Sequence, residues 1–127
     1  MTEIKFRTYF ENKFWYFTLN EIMERVATYH GDWDIQALRA DKQQFSGLKD
    51  QSNNKNEVYE GDIIEEIGWE GDYYLVEFID CAFYAKSLKK HVPAGLRTRH
   101  VKLDESMDIQ VVGNKFDNPD LLKKGEN

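Results

Sequence analysis

Three histidines, one cysteine and 23 carboxylates are the residues of this 127-residue chain with types suited to chemistry. His30, His91 and His100 lack the i, i+4 or Cys/His spacing that metal sites use. His91 and His100 could meet across the Pro93–Gly95 loop, but both lie among cations, which disfavours a divalent ion. The carboxylates lack the D-x-D-x-D-G order of a calcium loop. Cys81 follows an apolar run and stands between Asp80 and Ala82, a setting expected to bury an inert thiol. No serine occupies a Gly-x-Ser-x-Gly elbow. Glu65/Glu66 and Glu70/Asp72 could serve acid–base chemistry in a cleft, yet such pairs arise by chance among 23 acids. Gly68 and Gly71 lack the strand–loop–helix context and the Lys-Ser/Thr tail of a phosphate loop. The expectation is no enzyme, no metal and no cofactor.

Charge is the stronger signal. Glu57 to Asp80 carries nine acids and no Lys or Arg. From Lys86 to Lys102 the sign inverts, with Lys86, Lys89, Lys90, Arg97, Arg99 and Lys102, plus His91 and His100, and no acid. Such blocks suggest mutual pairing, within one fold or between copies, or two solvated strand faces. The basic segment could track a phosphate backbone, with Tyr73, Tyr74, Phe83 and Tyr84 as stacking partners. A pI near 5.1 and the acid block oppose a polyanion. Trp33, between Asp32 and Asp34, could anchor a protein partner, since interfaces favour Trp and Tyr. The candidate binding surface is thus Lys86, Lys89, Lys90, Arg97, Arg99, Lys102, Trp33 and Tyr73.

These residues need a scaffold. Ile4 to Phe10 alternates apolar and polar, Glu11-Asn12-Lys13 offers a turn, and Phe14 to Phe17 reads as a second strand. Asn20 is an expected N-cap for a helix through Ile22, Met23, Val26, Ala27 and Tyr29/His30, closed by Gly31. Gln43 to Ser46 suits a strand with Gly47 as a bend. Residues 50–56 form a polar loop without an apolar residue. Val58 to Ile64 places a Gly-Asp bend beside an apolar pair, expected to open a small barrel. Glu65 to Trp69 continues that strand, and Tyr73 to Ile79 returns as a hairpin. Tyr59 and Trp69 are expected to pack into the core. Ile109 to Val112 is a last strand, and Asn118-Pro119-Asp120 starts a terminal helix with Asn118 as N-cap.

Four blocks in order carry a resemblance. Ile4-Lys5-Phe6-Arg7, Phe45-Ser46-Gly47-Leu48-Lys49-Asp50, Val58-Tyr59-Glu60-Gly61-Asp62-Ile63-Ile64, and the run from Val111 to Leu122 frame nearly the whole chain. In these the chain resembles the YopX family, small proteins of bacteriophages and prophages, mostly of Gram-positive bacteria. Relatives usually have a tight Asp-Lys-Asn-Gly turn where this chain has the longer Asp50 to Asn56 loop. The resemblance implies a mostly β protein with a barrel-like C-terminal part, and no chemistry.

The fold expected is mainly β or α+β: an N-terminal β-hairpin with a short helix, a small barrel-like antiparallel sheet and a short C-terminal helix. One domain spans 1–127, with a subdomain seam at 50–56 separating 1–49 from 57–112, and 113–127 as a cap. About two-thirds of the surface of a chain this size is buried on folding, so a core forms without disulfides. No run approaches the ~18 apolar residues of a membrane span, and the N-terminus lacks a secretion signal's apolar stretch. The expected function is that of a cytoplasmic phage or prophage accessory protein acting by protein–protein binding, including as a homo-oligomer. The alternative is a nucleic-acid-binding module using residues 86–102.

Overall fold

A computed structural model describes residues 4–24, 28–29, 32–33, 35–68, 72–88 and 100–124. Two antiparallel sheets carry the fold. The first has the order β2-β1-β5-β6, from β1 (Lys5–Phe10), β2 (Lys13–Thr18), β5 (Gln43–Lys49) and β6 (Glu57–Tyr59). The second has the order β10-β9-β8-β7-β11, from β7 (Asp62–Glu66), β8 (Tyr73–Ile79), β9 (Ala82–Ser87), β10 (His100–Lys102) and β11 (Ile109–Asn114). Between β2 and β5 of the first sheet come α1 (Leu19–Glu24), a small ladder of β3 (Thr28–Tyr29) with β4 (Asp32–Trp33), and α2 (Ile35–Arg39). The last described element is α3 (Pro119–Lys124). The architecture is mostly β, as expected, but the second sheet is open, with β10 and β11 at its edges, rather than a closed barrel.

Local turn chemistry explains the hairpins. Glu11 and Asn12 both sit at positive φ (56° and 63°) and join β1 to β2 as a two-residue turn whose twist matches the strands. Asp80 and Cys81 do the same between β8 and β9 (49° and 66°). Cys81 is therefore exposed at a hairpin tip and not buried as its apolar neighbours suggested.

The first helix also departs from expectation. Thr18, not Asn20, caps it: the Thr18 hydroxyl accepts from Glu21 N–H, and the Glu21 carboxylate accepts from Thr18 N–H. That reciprocal capping box fixes the start two residues earlier. The helix ends at Glu24, and Tyr29 lies in a strand paired with Asp32. Val26, Ala27, His30 and Gly31 lie outside the described residues. Asn118 likewise spends its side chain backwards, accepting from Asn114 N–H, while its carbonyl accepts from Leu121 N–H.

Strand parity sorts the two faces of the first sheet. Trp15 and Phe17 point to one side, where they pack with Ala37 and Leu38 of α2. Lys5, Arg7, Tyr9, Phe14 and Tyr16 occupy the other, since Arg7 pairs with Tyr16 and Tyr9 with Phe14. The second core joins the sheets: Val58 of β6 packs with Ile64, Tyr74, Val76, Ala85, Leu103 and Ile109. Val58 was expected to open the barrel. It belongs instead to the first sheet, where β6 pairs with β5, and the second sheet begins after the Glu60-Gly61 turn at Asp62.

The 50–56 loop connects two neighbours of one sheet. Asp50 at its start is fully buried, and its carboxylate accepts from Ser52 N–H and Oγ–H, Asn56 N–H and Nδ2–H, and Val111 N–H of the other sheet. A polar segment is thereby folded around a buried anion. Burial pushes the Asp50 carboxyl up, and these hydrogen bonds outweigh it and hold the group below its ordinary value.

Candidate functional site

The sequence-derived residues fall in three places. Lys86 (β9), Lys102 (β10) and Tyr73 (β8) share one face of the second sheet. Tyr74, Val76, Ala85 and Ser87 alternate with them and are buried, so Tyr73, Leu75, Glu77, Tyr84 and Lys86 project from the opposite side. Register sets them in rows: Leu75 opposite Lys86 opposite His100, and Glu77 opposite Tyr84 opposite Lys102. Lys102 is exposed and Ile79 is 38% exposed at the end of β8. Trp33 lies in the β3–β4 ladder, which pairing does not join to this sheet. Lys89, Lys90, Arg97 and Arg99 lie outside the described residues, as do His91 and Trp69.

A second constellation went unnoticed in the sequence because its members are 55 positions apart. Arg7 of β1 is 5% exposed, and its Nη2 donates to Asp62 Oδ1 at 2.6 Å and to the Glu60 carbonyl at 3.4 Å. The guanidinium lies 4.3 Å from the Phe14 ring centre and 4.8 Å from that of Tyr59, both within cation–π range. Asp62 Oδ2 accepts from Tyr59 N–H at 2.8 Å. Desolvation raises the Asp62 carboxyl above its ordinary value, against the pull of Arg7. Lys5, on the same face, is ion-paired with Glu57 of β6 and stands over the Phe45 ring.

Of these, Arg7, Phe14, Glu57, Tyr59 and Asp62 line a cleft of about 350 Å³ between the sheets, together with Tyr16. Tyr16, half exposed, meets Tyr59 edge-on at 5.9 Å, and Tyr59 is fully within the core, as expected of it. Burial raises both phenols above their usual value, so both are neutral donors at pH 7. On the far side, Tyr9 stacks on Phe116 at 4.9 Å and its hydroxyl donates to Asp117. The signal available in sequence was the Gly-Asp bend itself. Gly61, at φ 91°, gives its N–H to the Val76 carbonyl and accepts from Lys115 N–H, which fixes where Asp62 starts its strand.

Among the described residues no three of His, Cys, Asp and Glu group so as to hold a metal ion. Among them, too, no helix is long and apolar enough to cross a membrane.

Comparison with known families bears on the whole chain. The model of a family described as YopX protein matches residues 5–123. This chain belongs to the YopX family. The match runs from the first residue of β1 to within α3, so both sheets and the Arg7–Asp62 pair fall inside the YopX region. No curated protein matches the chain.

Proposed function

We propose that this YopX-family chain is a non-enzymatic phage or prophage accessory protein of the host cytoplasm that acts by binding a protein through the outer face of its second sheet. The observation that carries the reading is the register. It sets Tyr73, Leu75, Tyr84 and Lys86 side by side with Glu77 and Lys102 at their margin. A face with aromatic and aliphatic centre and charges of both signs around it matches the composition of protein interfaces. Both signs on one face also suit self-association, in which one copy's acids meet another's bases.

A photo-crosslinker replacing Tyr84 should capture one discrete protein from host lysate. Lys86→Glu with Lys102→Glu should abolish the capture, and a crosslinker at exposed Tyr16 should not reproduce it. Capture from Tyr16 alone, or none from Tyr84, would defeat this face. Light scattering at low and high salt tests self-association: a salt-sensitive oligomer supports it and a monomer throughout removes it.

The second reading, nucleic-acid binding, is favoured by Lys86 and Lys102 bracketing Tyr84, a cation–aromatic–cation arrangement suited to a single strand. It requires binding to an oligonucleotide that falls steeply with salt and is lost in the same double charge reversal.

A further inference from the structure

We infer that the cleft beside the Arg7–Asp62 pair is a binding site for a neutral planar ring with adjacent hydrogen-bond donors on its edge, the chemistry of a guanine-type base. At about 350 Å³ the cleft lies at the lower end of small-ligand sites. One wall is ready for stacking: Tyr16 is 50% exposed, braced by Phe14 at 6.3 Å and by Tyr59 at 5.9 Å between ring centres.

The charges select neutrality. Arg7 is matched by Asp62 and Lys5 by Glu57, so an ionic ligand meets the like-charged member of each pair. The rim selects donors. Glu57 is a carboxylate, and beyond the Lys5 contact its Oε1 takes, among the described residues, a long 3.5 Å bond from the Tyr59 hydroxyl. Asn56 turns its amide nitrogen to Asp50, which as a carboxylate only accepts, and this leaves the side-chain Oδ1 of Asn56 as an acceptor, its backbone carbonyl being taken by Asp50 N–H.

A carboxylate with a neighbouring carbonyl matches the adjacent N1–H and exocyclic N2–H₂ of guanine. Adenine, cytosine and uracil present no two adjacent donors on that edge. Within the cleft lining, Arg7 Nε–H is buried without a hydrogen-bond partner among the described residues. A ring carbonyl reaching it offsets that desolvation.

The probes are guanosine, inosine, adenosine and uridine, titrated into the ¹⁵N-labelled full chain. Guanosine should saturate, with amide shifts centred on Tyr16, Glu57 and Tyr59. Inosine, lacking the exocyclic amine, should bind about tenfold more weakly, and adenosine and uridine more weakly still. Tyr16→Ala should weaken guanosine tenfold or more while Tyr16→Phe retains it, consistent with the strength of base–aromatic stacking. Glu57→Gln should erase the preference for guanosine over inosine. If Glu57→Gln proves unfolded, the Tyr16 pair still decides the matter.

Equal response to all four nucleosides, no saturation with any, or shifts remote from the cleft would overturn the inference. A dT strand carrying one dG, compared with an all-dT strand, separates two sources of the base. Much tighter, salt-sensitive binding of the dG strand identifies a base within a nucleic acid, and equal affinity with guanosine identifies a free purine. The outer-face variants Lys86→Glu and Lys102→Glu should leave guanosine binding unchanged, so this site and the protein-binding face succeed or fail separately.

Discussion

Replacing Asp50 by Asn exchanges one carboxylate oxygen for an NH₂ and should remove a large share of the protein's stability. Five donors converge on the Asp50 carboxylate, at 2.7 to 3.3 Å, and the residue is fully buried. Asn keeps one acceptor oxygen and turns an NH₂ toward backbone N–H groups, which can only donate. The Val111 N–H bond at 2.9 Å and the Asn56 side-chain bond both use Oδ2, so whichever oxygen is kept, at least two donors lose theirs. A buried donor left unpaired costs roughly 1–3 kcal/mol, so two cost about 2–6 kcal/mol, a range centred on the roughly 3–5 kcal/mol of breaking a buried charged pair.

For a domain of this size each kcal/mol lowers Tm by roughly 3–5 °C, so thermal unfolding at pH 7 should occur about 10–20 °C lower. The sign with pH follows from the depressed carboxyl. A folded-state pKa below the ordinary 3.8 means the stabilisation is present above about pH 4 and lost as pH falls through the folded value. Urea unfolding of both proteins between pH 7 and pH 2.5 should therefore show the gap between wild type and Asp50→Asn narrowing only below about pH 4. A loss under ~1 kcal/mol at pH 7, or a gap that does not change on acidification, would refute this account.

The Arg7–Asp62 pair should behave as a unit. Arg7→Met or Asp62→Leu alone strands a buried charge and should cost about 3–5 kcal/mol, while the double replacement should recover to within ~1–2 kcal/mol of wild type in a urea cycle. Asp62 has a raised carboxyl, so its own contribution runs the other way from Asp50: it is favourable below about pH 4 and lost as pH rises through the folded value. Gly113→Ala should displace the Asn118 side chain, whose Oδ1 would lie 2.5 Å from the new Cβ, and break its bond to Asn114 N–H. A loss of ~1–2 kcal/mol is expected, and it should be less than additive with Asn118→Gly, since both remove the same bond.

What was legible in the sequence is what neighbours in the chain decide. The β1–β2 and β7–β8 hairpins were readable because alternation and turn residues lie within a dozen positions. The strands that assemble the sheets were not. β5 joins β1 across more than thirty residues, and β11 joins β7 across more than forty. No local pattern distinguishes the β6 strand as a partner of β5 rather than as the start of the next sheet. Buried polar groups were hidden for the same reason. Arg7 reads as the polar half of an alternating strand until Asp62 is beside it, and Asp50 reads as loop until Val111 supplies an N–H. Of the surface residues, Lys86, Lys102 and Tyr73 could be placed on one face only once register was known.

Register also changes what the two charge blocks mean. Read along the chain, residues 57–80 form an unbroken acidic stretch. Strand parity disperses it: Glu57 turns to Lys5, Asp62 to Arg7, and Glu65 is buried with Gln110 Nε2 donating to it at 2.8 Å. Of the block's acids on β8, Glu77 remains on the outer face, in one row with Tyr84 and Lys102. Glu65 stands opposite Tyr73 on the same face but is buried, so Glu77 is the main obstacle to a polyanion there. Glu77→Lys should therefore strengthen salt-sensitive binding to single-stranded DNA relative to the wild-type chain, and it should simultaneously weaken capture of a protein partner. Strong DNA binding already in the wild type, unaltered by Glu77→Lys, would mean that the acidic residue does not face the ligand and that the row read from the strand register is not the recognition surface.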